Sequence, residues 1–257
     1  MGNLDPATAR WAVALEGDPF DIEDARVLFA QHDEVQIGVI EVASDRNPTV
    51  LLAKEFQALN NSSEVLEASE RIFDFLNGIM FVRDRARKPL RPGAVHERQE
   101  DGRWSAGTIF ANASLSEGRD RFFAHAVVLQ APGSPPPPPP PLPPHVIWMT
   151  EATQDDTLAE VLTFLRAEPD WFDLYKAFEL MRADIKGRLP NDRYAQMGWP
   201  DKAKRDEFTE STHVHRHSSA RWARYDLSTA PMKIDQAREF VQSLARIWLD
   251  WRYPPAT

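Results

Sequence analysis

The amino-acid sequence predicts an α+β protein in two parts. An antiparallel sheet with one or two helices occupies residues 1–130, a polyproline linker 131–146, and an all-α helical bundle 147–257. Three observations predict it. Before the linker, apolar and polar side chains alternate, as in half-buried strands. Seven consecutive prolines, Pro135–Pro141, then interrupt the chain. They lack N–H donors and fix φ, so they can join neither a helix nor a sheet interior. After them, apolar residues recur at helical spacing.

In the first part, "RWAVALEG" alternates and ends on glycine, predicting a strand. "DEVQIGVIEV" predicts a second, with Val35, Ile37 and Val39 on one face, and "PTVLLAKEF" a third. "NSSEVLEASERIFDFLNG" reads as a helix opened by Asn61 and Glu64 at capping-box spacing and stopped by Gly78. A hairpin is expected around Asp101–Gly102, and "RFFAHAVVLQ" supplies the last strand. The order β-β-β-α-β-β-β suits an antiparallel sheet with a helix on one face.

The prolines predict a polyproline II rod rising about 3.1 Å per residue. No basic residue flanks them, so a spacer is favoured over a ligand for an aromatic groove. Beyond it, Leu158, Val161, Leu162 and Leu165 form one stripe, and Trp171, Leu174, Ala177, Phe178 and Met181 another. "DKAKRDEFTEST" is a more polar helix, and Ile234, Ala237, Val241, Leu244, Ile247 and Trp248 mark a fourth. Six of the eight tryptophans follow the linker, which suits a bundle with aromatic anchors.

Composition narrows the chemistry. With no cysteine, disulfides, thiolate catalysis and cysteine-held metals are excluded. The net charge of −9 argues against a DNA coat. Residues 1–134 carry 14 Lys+Arg against 21 Asp+Glu, and residues 135–257 carry 16 against 18, so the acidity sits in the first part. No apolar run approaches the roughly 18 residues that span a bilayer. No basic segment leads into an apolar one near Met1, and Pro6 stands where a myristoylation signal needs Ser or Thr. The expectation is a cytoplasmic protein. "VRDRARKPLR" is the one basic run of the acidic part, with Arg83, Arg85 and Arg87 on one face if extended. It is read as a solvated segment after a helix C-terminus. Nucleotide, zinc-protease and serine-hydrolase signatures are absent.

The densest titratable cluster is "FTESTHVHRH", residues 208–217. As a strand it would point His213, His215 and His217 to one side. As a helix it aligns Glu210, His213 and His217, a weak candidate set for zinc, manganese or iron. Arg216 and His217 together offer a phosphate clamp and a proton shuttle, the minimum for a metal-free ribonuclease. The helical HEPN ribonucleases place four to six residues between Arg and His, so this adjacency departs from them. Arg91–His96 and Arg119–His125 fit that spacing but fall in expected strands.

The second part resembles a group of two-part bacterial proteins with no established activity. Their pattern runs D-x-Y-K, then F-x-x-T-A-N-x-x-R-H, then P-M-x-x-x-E-A. It falls here on Asp173, Tyr175 and Lys176, then Phe208, Ser211, Thr212, His213, Arg216 and His217, then Pro231, Met232 and Ala237. Ser211, Thr212 and His213 replace T-A-N, and Gln236 replaces the acidic residue. The resemblance implies that Arg216–His217 belongs to the shared pattern and that His213 and His215 are local variation.

The expectation is a bacterial binding or regulatory protein. Tyr175, Lys176, Arg216 and His217 would meet a protein partner, a small anion or RNA. The alternative is a metal-independent RNA-directed nuclease using Arg216 and His217, and a lesser one a metal-binding protein using Glu210, His213 and His217. No cofactor and no membrane association are expected. Asp173 and Lys176 are spaced for an ion pair.

Overall fold

The computed structural model describes residues 4–42, 47–83, 88–105, 142–166, 168–189, 194–216 and 231–254. The chain runs β1 (Trp11–Glu16), α1 (Pro19–Leu28), β2 (Val35–Val39), β3 (Thr49–Ala53), α2 (Ser62–Arg83) and β4 (Arg91–Glu97). It continues through α3 (Pro144–Ala152), α4 (Asp156–Phe164), α5 (Trp171–Arg188), α6 (Lys202–Arg216) and α7 (Ile234–Arg252).

The three expected strands form, and β4 joins them in a sheet of order β2-β3-β1-β4 with every neighbouring pair antiparallel. β1 reaches β2 through α1 by stepping over β3, and β3 reaches β4 through α2 by stepping over β1. These are the connections of a double split β-α-β unit. Pro92 is tolerated because, among the described residues, β4 is an edge strand, with an irregular register opposite Val13–Leu15. The hairpin expected at Asp101–Gly102 is a tight turn. Arg98 bridges Trp104, and Gly102 takes φ +82°, a left-handed conformation that glycine adopts without strain. The strand expected at 121–130 lies outside the described residues.

Two helices went unread in the sequence. α1 opens on Asp18, whose carboxylate accepts the Phe20 N–H at 2.9 Å, with Pro19 in the first turn. Its apolar face is narrow, so periodicity was a weak signal. α3 starts at Pro144, inside the stretch assigned to the linker. Proline costs a helix nothing in the first turn, where the N–H has no intrahelical partner. The remainder of that linker, through Pro141, lies outside the described residues.

The Asn61–Glu64 start is correct, with a shifted partner. The Asn61 side chain accepts the Glu64 N–H at 3.0 Å, while Glu64 accepts the N–H of Asn60 at 2.9 Å. Gly78, however, does not end α2, which continues to Arg83. A Cβ there would lie 2.4 Å from the Leu162 carbonyl oxygen of α4. Glycine at this point permits two helix backbones to touch.

Twelve of the 22 residues of α2 are buried, including Ser69 and Asn77, so this helix is enclosed rather than half-solvated. It packs on β1 and β4 and also on α3, α4 and α7. Residues on both sides of the proline-rich stretch therefore contribute to one apolar cluster, from Val13 and Leu51 through Leu76 to Leu162, Phe178 and Trp248. At the end of α2, Gln242 of α7 donates to Phe81 O at 2.6 Å, and Arg246 donates to Val82 O and Arg83 O. These bonds satisfy carbonyls that a helix C-terminus leaves without internal partners. A smaller cluster of Ala9, Ala12, Ile40, Val50, Leu52 and Trp104 covers the other sheet face. Among the described residues, no helix is long and apolar enough to cross a membrane.

Candidate functional site on the α5–α6 face

α5 begins with a capping box. Asp170 accepts the N–H groups of Phe172 and Asp173 at 2.7 and 3.0 Å, and Asp173 reaches back to the Asp170 N–H at 3.4 Å. This corrects the pairing of Asp173 with Lys176. The uncompensated N–H groups of the first turn draw Asp173 toward the helix start, and Lys176 pairs instead with Glu179 at 3.1 Å. Burial pushes the Asp173 carboxyl above its usual value, the Asp170 N–H notwithstanding.

From Trp171 to Phe178, α5 runs antiparallel beside α6. Trp171 stacks on His215, with ring centroids 4.3 Å apart and planes at 11°. One turn further, Tyr175 meets His213 at 5.9 Å, and Phe178 then packs edge-on against Phe208 at 5.3 Å. The series grades from exposed His215 to fully buried Phe208. α6 is continuous through Arg216, so His213 and His215 lie on a helix rather than on a strand. Both rings contact aromatic partners on α5. Among the described residues, no three His, Asp or Glu side chains are grouped to hold a metal ion. Glu210 instead lines a wide, open depression of about 630 Å³ with Asp201, Asp206 and Glu207.

The four residues proposed to converge are distributed as follows. Tyr175 is on the α6-facing side of α5. Lys176 is about 100° further round the helix, beside Glu179 and 6.0 Å from the Phe172 ring. Arg216 is the last residue of α6, and His217 lies outside the described residues.

Four of the residues matching the pattern have a packing role. Phe208, Ser211, Thr212 and Met232 are all buried. Ser211 Oγ donates to Glu207 O at 2.7 Å and accepts the Met232 N–H at 2.9 Å. Two separate pieces of the pattern, F-x-x-S and P-M, thus meet in one hydrogen bond that seats the start of α7 on α6. Phe208 also packs against Phe240 of α7 at 5.2 Å.

A second polar cluster escaped the sequence reading. Asp155 caps α4 through the Leu158 N–H at 3.1 Å, accepts the Tyr253 hydroxyl at 2.7 Å, and pairs with Arg252 at 2.5 Å. Arg252 Nε is 3.4 Å from Asp184, which also accepts the Trp248 indole N–H at 3.0 Å. Burial opposes ionisation of Asp155. The hydrogen bonds from Tyr253 and Leu158 and the charges of Arg252 and Arg188 outweigh it and hold the carboxyl below its ordinary value. Burial, reinforced by the bond to Asp155, pushes the Tyr253 phenol up. The cluster ties α4, α5 and α7 together. Its members are 97 residues apart in sequence for Asp155 and Arg252, so spacing carries no signal of it.

The chain matches no protein-family model, no curated protein and no solved structure. The α+β fold, with a split β-α-β sheet backed by a helical second half, is what the geometry itself defines.

Proposed function

We propose that the chain is a bacterial, cytoplasmic binding or regulatory protein that presents the outer end of the α5–α6 pair, with Arg216 and His217, to a protein partner. The carrying observation is the Trp171–His215 stack, which sets a rigid aromatic surface beside the last turn of α6. Stacked, amphipathic rings next to an arginine are the residue types that anchor protein interfaces.

Charge favours a protein over a phosphate chain. Asp201, Asp206, Glu207 and Glu210 face the adjoining depression, and Asp170 and Asp173 already occupy the first N–H groups of α5. Arg216 also sits where a helix C-terminus favours positive charge. On this reading the proline-rich stretch is a spacer, and Tyr175 and Lys176 support packing rather than bind the partner. The nuclease remains the alternative, with Arg216 as clamp and His217 as proton shuttle.

The test uses affinity capture with wild type, Trp171→Ala and Arg216→Glu, alongside RNA cleavage by wild type and His217→Ala in EDTA. The binding reading expects a stoichiometric partner retained by wild type and lost by both surface variants, with background cleavage throughout. Cleavage by wild type that His217→Ala abolishes would overturn it in favour of the nuclease.

A further inference from the structure

α3 is the first helix after the proline-rich stretch, and it is held to the sheet-bearing half through two buried histidines. His32 lies between α1 and β2 and is 2% exposed; His145 lies in the first turn of α3 and is 5% exposed. The partners of each ring dictate its protonation.

His32 Nδ1 accepts two backbone N–H groups, from Glu34 at 3.1 Å and Val35 at 2.9 Å. That nitrogen must present its lone pair, so the ring proton is on Nε2, 3.1 Å from Thr150 Oγ1 of α3. The threonine hydroxyl in turn donates to Val146 O at 3.2 Å, leaving its oxygen to accept from His32. His145 has the same tautomer. Its Nε2 is 2.6 Å from Leu28 O, a contact only an N–H can make, and its Nδ1 is 3.0 Å from the Arg83 guanidinium, which can only donate.

A second proton therefore has no place in either ring while α3 is docked. On His32 it would point at two N–H dipoles, and on His145 at a guanidinium. We infer that His32 and His145 form an acid-sensitive latch that docks α3 onto α1 and α2 at neutral pH and releases it when both rings protonate.

The surrounding charges agree with this. Burial lowers the His32 value most, while Asp33 and Glu34 oppose it more weakly. Glu55 and Arg71, which line a cavity of about 50 Å³ beside His32 together with Met149 and Thr153, are paired with each other at 2.6 Å. Burial also lowers His145 most; the bond to Leu28 O opposes this and Arg83 adds to it. The Phe29 and His145 rings meet in a T-shaped contact with centroids 5.9 Å apart, and α7 approaches this region through Arg246, bonded to Arg83 O. The charge acting on His145 from Arg83 is thus positive.

The sign follows directly. Both rings bind a proton more weakly docked than free, so docking is intact above the ordinary histidine value of 6.5. Docking then weakens as pH falls below that value, toward the lowered docked values. Between the docked and free values each ring contributes at most about tenfold per pH unit. Release would uncover Trp148, Met149 and Phe29, an apolar surface that is buried at neutral pH.

The experiment is hydrogen exchange with mass spectrometry on the full chain at pH 7.5 and 5.5, corrected for intrinsic exchange rates. Wild type and His32→Gln/His145→Gln, which cannot titrate, are compared. Protection of residues 146–152 should fall by about tenfold to a hundredfold at pH 5.5 in wild type while α5 and α7 keep theirs, and stay level in the double variant. Equal protection at both pH values, an equal loss in α5 and α7, or a pH dependence that persists in the double variant overturns the latch. If the double variant does not fold, NMR titration of wild-type histidines decides. The latch requires both rings protonated on Nε2 alone at pH 7.5 and midpoints below 6.5; midpoints at or above 6.5 reject it.

Discussion

Replacing Gly78 with alanine tests the close backbone contact between α2 and α4. Taken alone, the exchange favours the helix, because alanine exceeds glycine in helix interiors by about 0.8–1.0 kcal/mol. Here the added Cβ would lie 2.4 Å from Leu162 O and 2.9 Å from both Leu162 C and Leu162 Cα. All three are backbone atoms, so no side chain can rotate away. Relief requires α2 and α4 to separate by roughly 1 Å, to reach ordinary contact distances of about 3.5–4.0 Å. That separation loosens the cluster around Leu76, Leu158 and Leu162. Overpacking of this kind costs typically about 1–3 kcal/mol, occasionally more. With backbone on one side of the clash, the upper part of that range applies, and a net loss of about 1–2 kcal/mol remains after the propensity gain. For a chain of this size that lowers the melting temperature by about 2–4 °C per kcal/mol. Gly187 is the internal control. It also lies in a helix, but nothing is within 4 Å of its would-be Cβ, so Gly187→Ala should stabilise by about 0.5–1 kcal/mol. Urea unfolding of the three proteins reads both signs. A Gly78→Ala protein as stable as wild type, or more so, refutes the close-approach argument.

The remaining predictions concern the polar ties. Ser211→Ala leaves the buried Met232 N–H without its acceptor and should cost about 1–3 kcal/mol in urea unfolding; an unchanged midpoint would show that the bond does not seat α7. Asp155→Asn should cost about 1.5–3 kcal/mol at pH 7, through the loss of charge-assisted bonds to Arg252 and Tyr253. Because the Asp155 carboxyl lies below its ordinary value when folded, its contribution is complete above the unfolded carboxylate value and disappears as pH falls through the folded one. The gap between wild type and Asp155→Asn should therefore close on acidification toward pH 3, and a gap that widens contradicts the assignment. Neither EDTA nor added zinc should shift the melting temperature. A metal held at a hundred times its dissociation constant would stabilise by about 2.7 kcal/mol, so a zinc-dependent rise removed by His213→Ala would restore the metal reading.

What the sequence by itself determined is local. Alternation placed β1, β2 and β3, and apolar stripes placed α4, α5 and α7, because these periods follow from backbone geometry alone. The Asn61 start of α2 was legible because a cap acts within four residues. Gly78 was misread for the same reason: glycine serves equally as a helix stop and as a point of close contact, and only the position of Leu162 distinguishes them. The histidines of residues 208–217 suggested a metal from spacing, whereas their neighbours Trp171 and Tyr175 come from another helix. The tertiary structure alone decided the sheet order, the enclosure of α2 from both sides, the Asp155–Arg252 tie and the buried settings of His32 and His145. Each depends on groups tens to more than a hundred residues apart. The burial and hydrogen bonding that set their chemistry exist only once the chain has folded.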